Sequence, residues 1–324
     1  MRIWFCLWVW FSTLADGSGG LPLPAPLWVV PEISGPPFYP HPVSLPKQWI
    51  TWNLQWFPGH TPTANPVAKA DHERDVKKWL GRWKPDVAIL EEVLDADALK
   101  RSVPELPWQA VTRFSRAADE GEKLPPQNLA ICSRVPWVEA WEMDFGNLPM
   151  SPDRPVRGFL GVMWRMRSGE TWTAYAVHLK SNRGGREGMA RRRERAIDYL
   201  RLDWRRRGLS PEKDAVLLAG DFNSSLKNPE FRGERTIHNL LEEGWVSVTA
   251  GLPWPAGATV RPEPTQKYPA TDFDHILLSP GWVGQMGTQR WKAGVTQNPD
   301  LPGDHWPVWM KLEKQPVRSP CLDR

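Results

Sequence analysis

Six short segments of the chain place carboxylates, amides and imidazoles where strongly apolar runs end. They are Asn53 in Thr51-Trp52-Asn53-Leu54, Glu92 in Ile89-Leu90-Glu91-Glu92-Val93, and His178 in Val177-His178-Leu179-Lys180-Ser181. Further on come Asp221 and Asn223 in Leu217-Leu218-Ala219-Gly220-Asp221-Phe222-Asn223, Asp274 in Phe273-Asp274-His275-Ile276-Leu277, and Asp304-His305 in Gly303-Asp304-His305-Trp306-Pro307-Val308. A polar group at such a place is costly to bury unless a partner or a metal compensates it. Carboxylate and amide oxygens suit a hard cation such as Mg²⁺ or Mn²⁺, which binds a phosphate oxygen and offsets charge developing in a transition state. Imidazoles beside carboxylates suit proton transfer.

The runs that carry these groups read as strands: Trp49 to Trp56, Asp86 to Leu90, Gln109 to Arg113, Asn128 to Ser133, Gly158 to Met166, Thr171 to Leu179, Ala215 to Gly220, Phe273 to Ser279 and Trp306 to Leu312. Most are too apolar to have a wet face, so other layers must cover them. Helix patterns alternate with them. Asn65-Pro66 is an N-cap and first-turn pair opening a helix that Lys84-Pro85 stops. A second runs from about Gly185 to Arg207 and ends at Gly208, and a third spans about Pro229 to Glu243. An α/β layered sandwich is the class these elements predict.

Composition agrees and sets the boundaries. The chain has 324 residues, 41% hydrophobic and 24% charged, enough to bury a sizeable core. Its 34 prolines exclude an all-helical bundle, and three cysteines without a C-x-x-C pair exclude a thiolate zinc site and a disulfide scaffold. Cys132 reads as a small buried thiol. Met1-Arg2, the apolar run Ile3 to Phe11 and the small-residue end Ser12 to Ala15 predict a signal peptide over residues 1–20, hence export to the periplasm or the outside. That run is about half the ~18 residues a membrane span requires, so no stable span is expected. Nine prolines in residues 21–46 predict an extended linker, leaving one domain over 47–313 and a tail over 314–324. The molecule is expected to be a monomer.

The ordered set Asn-Leu, Leu-x-Glu, His-Leu-Lys-Ser, Gly-Asp-Phe-Asn, Asp-x-Ile-Leu and Asp-His-x-Pro-Val resembles the endonuclease/exonuclease/phosphatase family, which includes pancreatic deoxyribonuclease and the abasic-site repair endonucleases. Any one motif is weak, but six in family order, over Trp49 to Leu312, are specific. The resemblance implies a four-layer sandwich of two packed mixed β-sheets flanked by α-helices, and divalent-metal-dependent hydrolysis of a phosphate ester. It implies Glu92 as the metal ligand, supported by Asn53 directly or through water, with Asp304 as a second carboxylate. It further implies Asp221 as the group that orients or deprotonates water, Asn223 as a phosphate holder, His305 oriented by Asp274 as an imidazolium at the phosphate, and His178 as a second imidazole there. Two positions depart from the family: Glu91 stands where Gln is frequent, and Gly303 where Ser often precedes Asp-His. Glu91 and His275 read as solvated strand-end groups.

Substrate is read from charge and aromatics. Residues 183–207 hold ten arginines against Glu187, Glu194, Asp198 and Asp203, while the whole chain carries only +4. Arginines there, Arg183 and Arg186 first, could hold phosphates flanking the scissile one, as a nucleic acid requires. The same stretch could equally be a solvated helix face laced with ion pairs. Trp56 and Trp306 could stack bases, whereas Trp52 reads as core. An exported metal-dependent nuclease is the leading expectation. A phosphatase or a sphingomyelinase-like lipid phosphodiesterase stands second, the latter requiring Trp141, Phe145, Phe159 and Trp282 on exposed loops. A catalytically silent binding module is disfavoured, because each proposed catalytic position holds a competent residue.

Overall fold

Strands that are apolar on both faces need a cover on each side, and the chain provides a second sheet on one side and helices on the other. The computed structural model describes residues 24–36, 42–114, 127–183, 185–262, 270–287 and 289–314. In chain order the elements are β1 (Leu27–Val29), β2 (Glu32–Ser34), β3 (Gln48–Phe57), α1 (Pro66–Trp83), β4 (Val87–Val93), α2 (Ala96–Ser102), β5 (Trp108–Val111), β6 (Asn128–Ser133), β7 (Glu139–Asp144), β8 (Phe159–Arg165), β9 (Thr171–His178) and α3 (Arg186–Arg207). They continue with β10 (Ala215–Asp221), α4 (His238–Glu242), β11 (Val246–Ser247), β12 (Asp274–Leu278), α5 (Pro280–Gln285), β13 (Gln289–Val295) and β14 (Val308–Lys314).

One seven-stranded sheet has the order β1-β7-β8-β9-β10-β12-β11 and the other β13-β14-β3-β4-β6-β5-β2. Each is antiparallel except for one pair, β9 with β10 in the first and β3 with β4 in the second. Those two parallel pairs face each other across the sandwich. Between the sheets lies a core drawn from both, including Trp49, Val87, Ile89, Ile131, Leu160, Trp164, Leu217 and Ile276. Outside the first sheet, Tyr175, Val216 and Leu218 pack on Ile197, Leu200 and Trp204 of α3. Outside the second, Ile50, Trp52 and Leu90 pack on Val76, Trp79 and Leu80 of α1. The result is the four-layer sandwich that the motifs implied.

Helix ends follow local rules. Asn65 Oδ1 accepts from the Ala68 amide at 2.9 Å, and Lys84, at φ +51°, closes α1 with its own amide on the Leu80 carbonyl at 2.8 Å. Helix α3 stops at Gly208, whose φ of +67° a side chain would resist.

Three expectations are corrected. Residues 27–29 and 32–34 are not linker: β1 pairs with β7 and β2 with β5, so the domain takes in residues N-terminal to Lys47. Both are edge strands, where nearby prolines cost no ladder bond, and Trp28 Nε1 ties β1 to Asp203 of α3 at 2.7 Å. The third helix breaks into a 3₁₀ turn at Pro229–Phe231 and the short α4, because the intervening Glu234 is drawn inward to pair with Arg193. Trp141, Phe145, Phe159 and Trp282 are buried rather than on exposed loops, since each packs on a sheet face. Strands β7 and β13, next to and at a sheet edge, carry charges among their apolar residues and so form no apolar run to read. The expected signal over 1–20 lies outside the described residues, as does the tail beyond Lys314. Among the described residues no helix is long and apolar enough to cross a membrane.

Candidate active site

Side chains alternate across a strand, so the inward face of each strand is a fixed set. On β3 it is Trp49, Thr51 and Asn53; on β4, Val87, Ile89 and Glu91; on β9, Ala174, Ala176 and His178; on β10, Leu217, Ala219 and Asp221; on β12, Leu278, Ile276 and Asp274. At one end of the sandwich the inter-sheet core therefore turns polar on all five strands together. Pairing aligns the polar members: Asn53 opposite Glu91, His178 opposite Asp221, and Asp221 opposite Asp274. Gly220 lets the chains approach, since a Cβ there would lie 1.9 Å from the Val177 carbonyl oxygen.

Glu92 joins this set against the alternation. Following outward-facing Leu90 by two residues, it should face α1, but its φ is +61° and the β4–β6 register shifts between Leu90 and Val93. Strand β3 is irregular at the same level, with Gln55 and Trp56 at φ +54° and +50°. Among the described residues other than glycine, five of the six at positive φ, Gln55, Trp56, His60, Glu92 and Asn223, surround the site, and each conformation costs about 1–3 kcal/mol. The turned Glu92 accepts from the Trp56 amide at 2.8 Å and from Asn53 Nδ2 at 3.2 Å. Asn53 Nδ2 also donates to Asp221 Oδ2 at 3.1 Å, so one amide joins the carboxylates of the two sheets. Its oxygen accepts from the Gln55 amide, which makes Asn53 a brace for Glu92 here.

Opposite stands a His–Asp pair. His305 Nδ1 donates to Asp274 Oδ2 at 2.7 Å, and Trp52 Nε1 donates to the His305 carbonyl at 3.2 Å. Thr259 Oγ1 accepts from the Asp274 amide at 3.0 Å while the Thr259 carbonyl accepts from the Trp306 amide at 2.6 Å. Asp221, Asp274 and His305 lie within 4.8 Å of one another. His178 Nε2 stands 3.6 Å from Asp221 Oδ2 and 3.8 Å from Glu92 Oε1. Asp221 Oδ1 accepts from the Asn223 amide at 2.8 Å, while Asn223 Nδ2 donates to the Leu179 carbonyl.

Burial and proximity set the protonation states. Burial pushes Glu92 up, against the charge of Arg157; burial and then Asp274 push Asp221 up. Burial, then Arg157, His305 and Lys180 drive His178 well below the usual imidazole value, so it is neutral. Burial would lower His305 too, but Asp274, its hydrogen bond, Asp221 and Asp304 outweigh it and hold the imidazole well above that value, as a cation. Glu91 is raised most plainly by burial, then by Asp274 and Asp221.

The structure thus brings together Asn53, Glu92, His178, Asp221, Asn223, Asp274 and His305. Asp304 is exposed at the rim beside His305, and its charge reaches Glu92 and His305. Arg183 is exposed on the loop after β9, and Arg186 opens α3. The arginine-rich stretch is mostly committed within the protein. Arg191 pairs with Glu187, Arg195 with Asp153, Arg201 with Glu243 and Arg207 with Glu139, and Arg206 lies over the Trp28 ring. Arg193, fully buried, is bidentate to Glu234 at 2.6–2.7 Å and donates to the Lys180 carbonyl at 2.6 Å.

Glu91 and His275 are corrected as well: both are buried, Glu91 accepting from Thr51 Oγ1 at 2.8 Å and His275 Nε2 meeting the Ser224 carbonyl at 3.1 Å. The pattern Val87-x-Ile89-x-Glu91 signals the inward place of Glu91. Arg157 was missed by sequence. It bonds the Leu179 carbonyl at 3.3 Å and Gln127 Oε1, and its charge bears on both Glu92 and His178. One arginine in a proline-rich loop carries no motif that would single it out.

Three buried carboxyls, Glu91, Asp221 and Asp274, and the part-buried Glu92 crowd one space, and Glu91 Oε2, Asp274 Oδ1 and His178 Nδ1 have no hydrogen-bond partner among the described residues. A divalent cation fits such a donor set. The Asp221–Asp274–His305 triangle also has cation-site spacing, but an imidazole that is protonated and bonded to Asp274 is not a ligand. Glu92, with Asp304 at the rim, is the better place.

The family model described as the Endonuclease/Exonuclease/phosphatase family matches residues 50–305. Among solved structures, D. rerio TDP2 complexed with a single-strand DNA product aligns at TM-score 0.57 and 19% identity, over 83% of this chain and 99% of that one. Sphingomyelinase C from Streptomyces griseocarneus aligns at 0.56 and 16%, over 83% and 99%. The mannosyl-6-phosphatase of Bacteroides thetaiotaomicron aligns at 0.55 and 15%, over 82% and 99%. At these identities the likeness establishes the fold. No curated protein sequence matches the chain.

Proposed function

Given that this chain belongs to the endonuclease/exonuclease/phosphatase family, we propose that it is an exported, divalent-metal-dependent phosphodiesterase that cleaves DNA or RNA strands. The observation that carries the reading is the meeting of Asp221 with the Asp274–His305 pair within 4.8 Å, next to a desolvated Glu92. Mg²⁺ or Mn²⁺, held by Glu92 and Asp304, would supply Lewis-acid polarisation of a phosphate oxygen. His305, as imidazolium, donates from Nε2 to a non-bridging phosphate oxygen, and Asp274 keeps it charged and oriented. Asp221, fixed by Asn53 and the Asn223 amide, aligns the attacking water and accepts its proton. Neutral His178 hydrogen-bonds without adding charge, and Arg157 beside it offers a fixed positive charge.

A nucleic-acid strand is favoured over a lipid because Trp141, Phe145, Phe159 and Trp282, the aromatics on which a lipid-facing surface was expected, are buried, while Arg157 and Lys180 put positive charge beside the site. The structural neighbour bound to single-strand DNA product is consistent with that choice. The deciding assay offers the purified protein plasmid DNA, RNA, bis-p-nitrophenyl phosphate and sphingomyelin, with Mg²⁺, with Mn²⁺ and with EDTA. Cleavage of nucleic acid that EDTA abolishes is expected; hydrolysis of sphingomyelin alone would overturn the substrate. N-terminal sequencing of protein recovered outside the cytoplasm tests export, and an intact Met1 would refute it.

A further inference from the structure

The chain returns from the Glu92 end of the sandwich along α1, whose 18 residues span about 27 Å and end beside the starts of β3 and β4. Between Asp75 and Asp86 that return carries Lys77, Lys78, Arg82 and Lys84 and no acid. None of the four has an ion-pair partner among the described residues. Helix stability does not account for them. The helix dipole favours a cation in the last turn of α1, which holds Arg82 but neither Lys77 nor Lys78. Arg74, Lys78 and Arg82 recur at a spacing of four, a row of like charges that weakens a helix. Glu73, the acid spaced to pair with Lys77, is taken by Arg101 of α2 at 2.6 and 2.9 Å, and Asp86 is turned to the Lys47 and Gln48 amides at 2.7 and 3.0 Å.

A cavity opens on each side of this cationic ridge. On the α2 side, about 240 Å³ lies over buried Leu80, Val103 and Leu106, with Lys77, Lys78 and Arg134 also lining it. Gly81 is part of the same wall. Glycine is disfavoured inside a helix, and a Cβ here would meet nothing within 4 Å, so packing does not require it and its bareness keeps the cavity open. On the β14 side, about 190 Å³ is walled by half-buried Trp83 and Trp309, with Lys311 beside them. The Trp309 ring lies across Gly294 of β13, where a Cβ would stand 2.8 Å from it. Each cavity is below the roughly 300–1,000 Å³ that buries a whole small ligand, so each fits part of an extended one.

We propose that the end of α1, with the cavity on either side of it, is a second surface for single-stranded nucleic acid, at the opposite end of the sandwich from the catalytic groups. Lys77, Lys78, Arg82 and Lys84 hold phosphates, and the two cavities take unstacked bases, one of them against Trp83 and Trp309. The choice of a nucleic acid rests on the phosphodiesterase reading, whereas the surface itself does not. A bilayer has nothing to bury here, because none of the exposed large apolar side chains among the described residues lines either cavity.

The test measures binding of a long oligothymidylate by fluorescence anisotropy in EDTA, alongside hydrolysis of the same strand and of bis-p-nitrophenyl phosphate with Mg²⁺ or Mn²⁺. The triple variant Lys77→Gln, Lys78→Gln, Arg82→Gln should bind the strand about tenfold or more weakly, with a salt slope of log Kd smaller by about 2, since each lost phosphate contact removes about 0.7. Gly81→Leu, which fills the cavity on the α2 side and favours the helix, should raise the melting temperature and weaken the strand several-fold. Both variants should hydrolyse bis-p-nitrophenyl phosphate as the native protein does. Native strand affinity in either variant overturns the surface and leaves the phosphodiesterase reading standing. Binding to phosphatidylglycerol vesicles but not to the strand, lost in the triple variant, overturns the nucleic acid as its partner. Hydrolysis of neither substrate, with strand binding that the triple variant loses, overturns the phosphodiesterase reading and supports the surface.

Discussion

His305 Nδ1 donates to Asp274 Oδ2 across 2.7 Å, joining the start of β12 in one sheet to the loop that enters β14 in the other. The bond both orients the imidazole and holds its proton. Asp274→Asn should leave the fold intact and lower kcat by about 10²–10⁴-fold, the range for losing a positioned acid or base. Because Asp274 raises the His305 pKa, its loss should also move the alkaline limb of the pH–rate profile to lower pH. A profile that keeps its alkaline limb in place would refute the pairing as the source of the charge.

Desolvation raises Glu92, so removing its charge should not weaken the metal-free protein. Glu92→Gln is therefore expected to melt at or above the native temperature without metal, and to lose the increase that saturating Mn²⁺ produces. That increase should correspond to about 2.7 kcal/mol at a hundredfold excess over Kd. A full Mn²⁺ response in Glu92→Gln would move the cation to the Asp221 side.

Glu142, buried on β7 and accepting from the Arg113 amide at 2.8 Å, is raised by burial to about 7. A carboxyl whose folded pKa exceeds its unfolded one binds more protons when folded, so stability falls as pH rises from about 4.5 to about 7. Glu142→Gln should be on the order of 2 kcal/mol more stable than the native protein at pH 8 and equal to it near pH 4. Urea titrations at the two pH values decide; equal midpoints at pH 8 would contradict the burial.

Arg193 and Glu234 are both buried and bidentate. Arg193→Ala should cost about 3–5 kcal/mol, because Glu234 is left buried without its counter-ion. Arg193→Met with Glu234→Leu should recover most of that loss. A small effect of Arg193→Ala in urea unfolding would show that the side chain is not committed to the fold.

Much of this arrangement was legible in the chain. All nine strands read from apolar runs are present, the two long helices start and stop where Asn65-Pro66, Lys84 and Gly208 direct, and the seven strand-end residues that the motifs singled out beyond Asp304 do meet. What escaped notice had no local signature. The edge strands β1 and β2 lie among prolines, and Arg157 lies in a loop with no pattern.

By itself the sequence determined the two-residue alternation that carries Asn53, His178, Asp221 and Asp274 to the inward face, because strand geometry needs no partner to set it. Only the tertiary structure decided which charges remain available. The α3 arginines are matched to Asp153, Glu234, Glu243 and Glu139 from distant segments, and Glu92 reaches the site because strain at its φ of +61° is held in place by Trp56 and Asn53. Such pairings depend on contacts between residues far apart in the chain, and a strained backbone persists only where surrounding contacts over-determine it. Neither can be read from spacing.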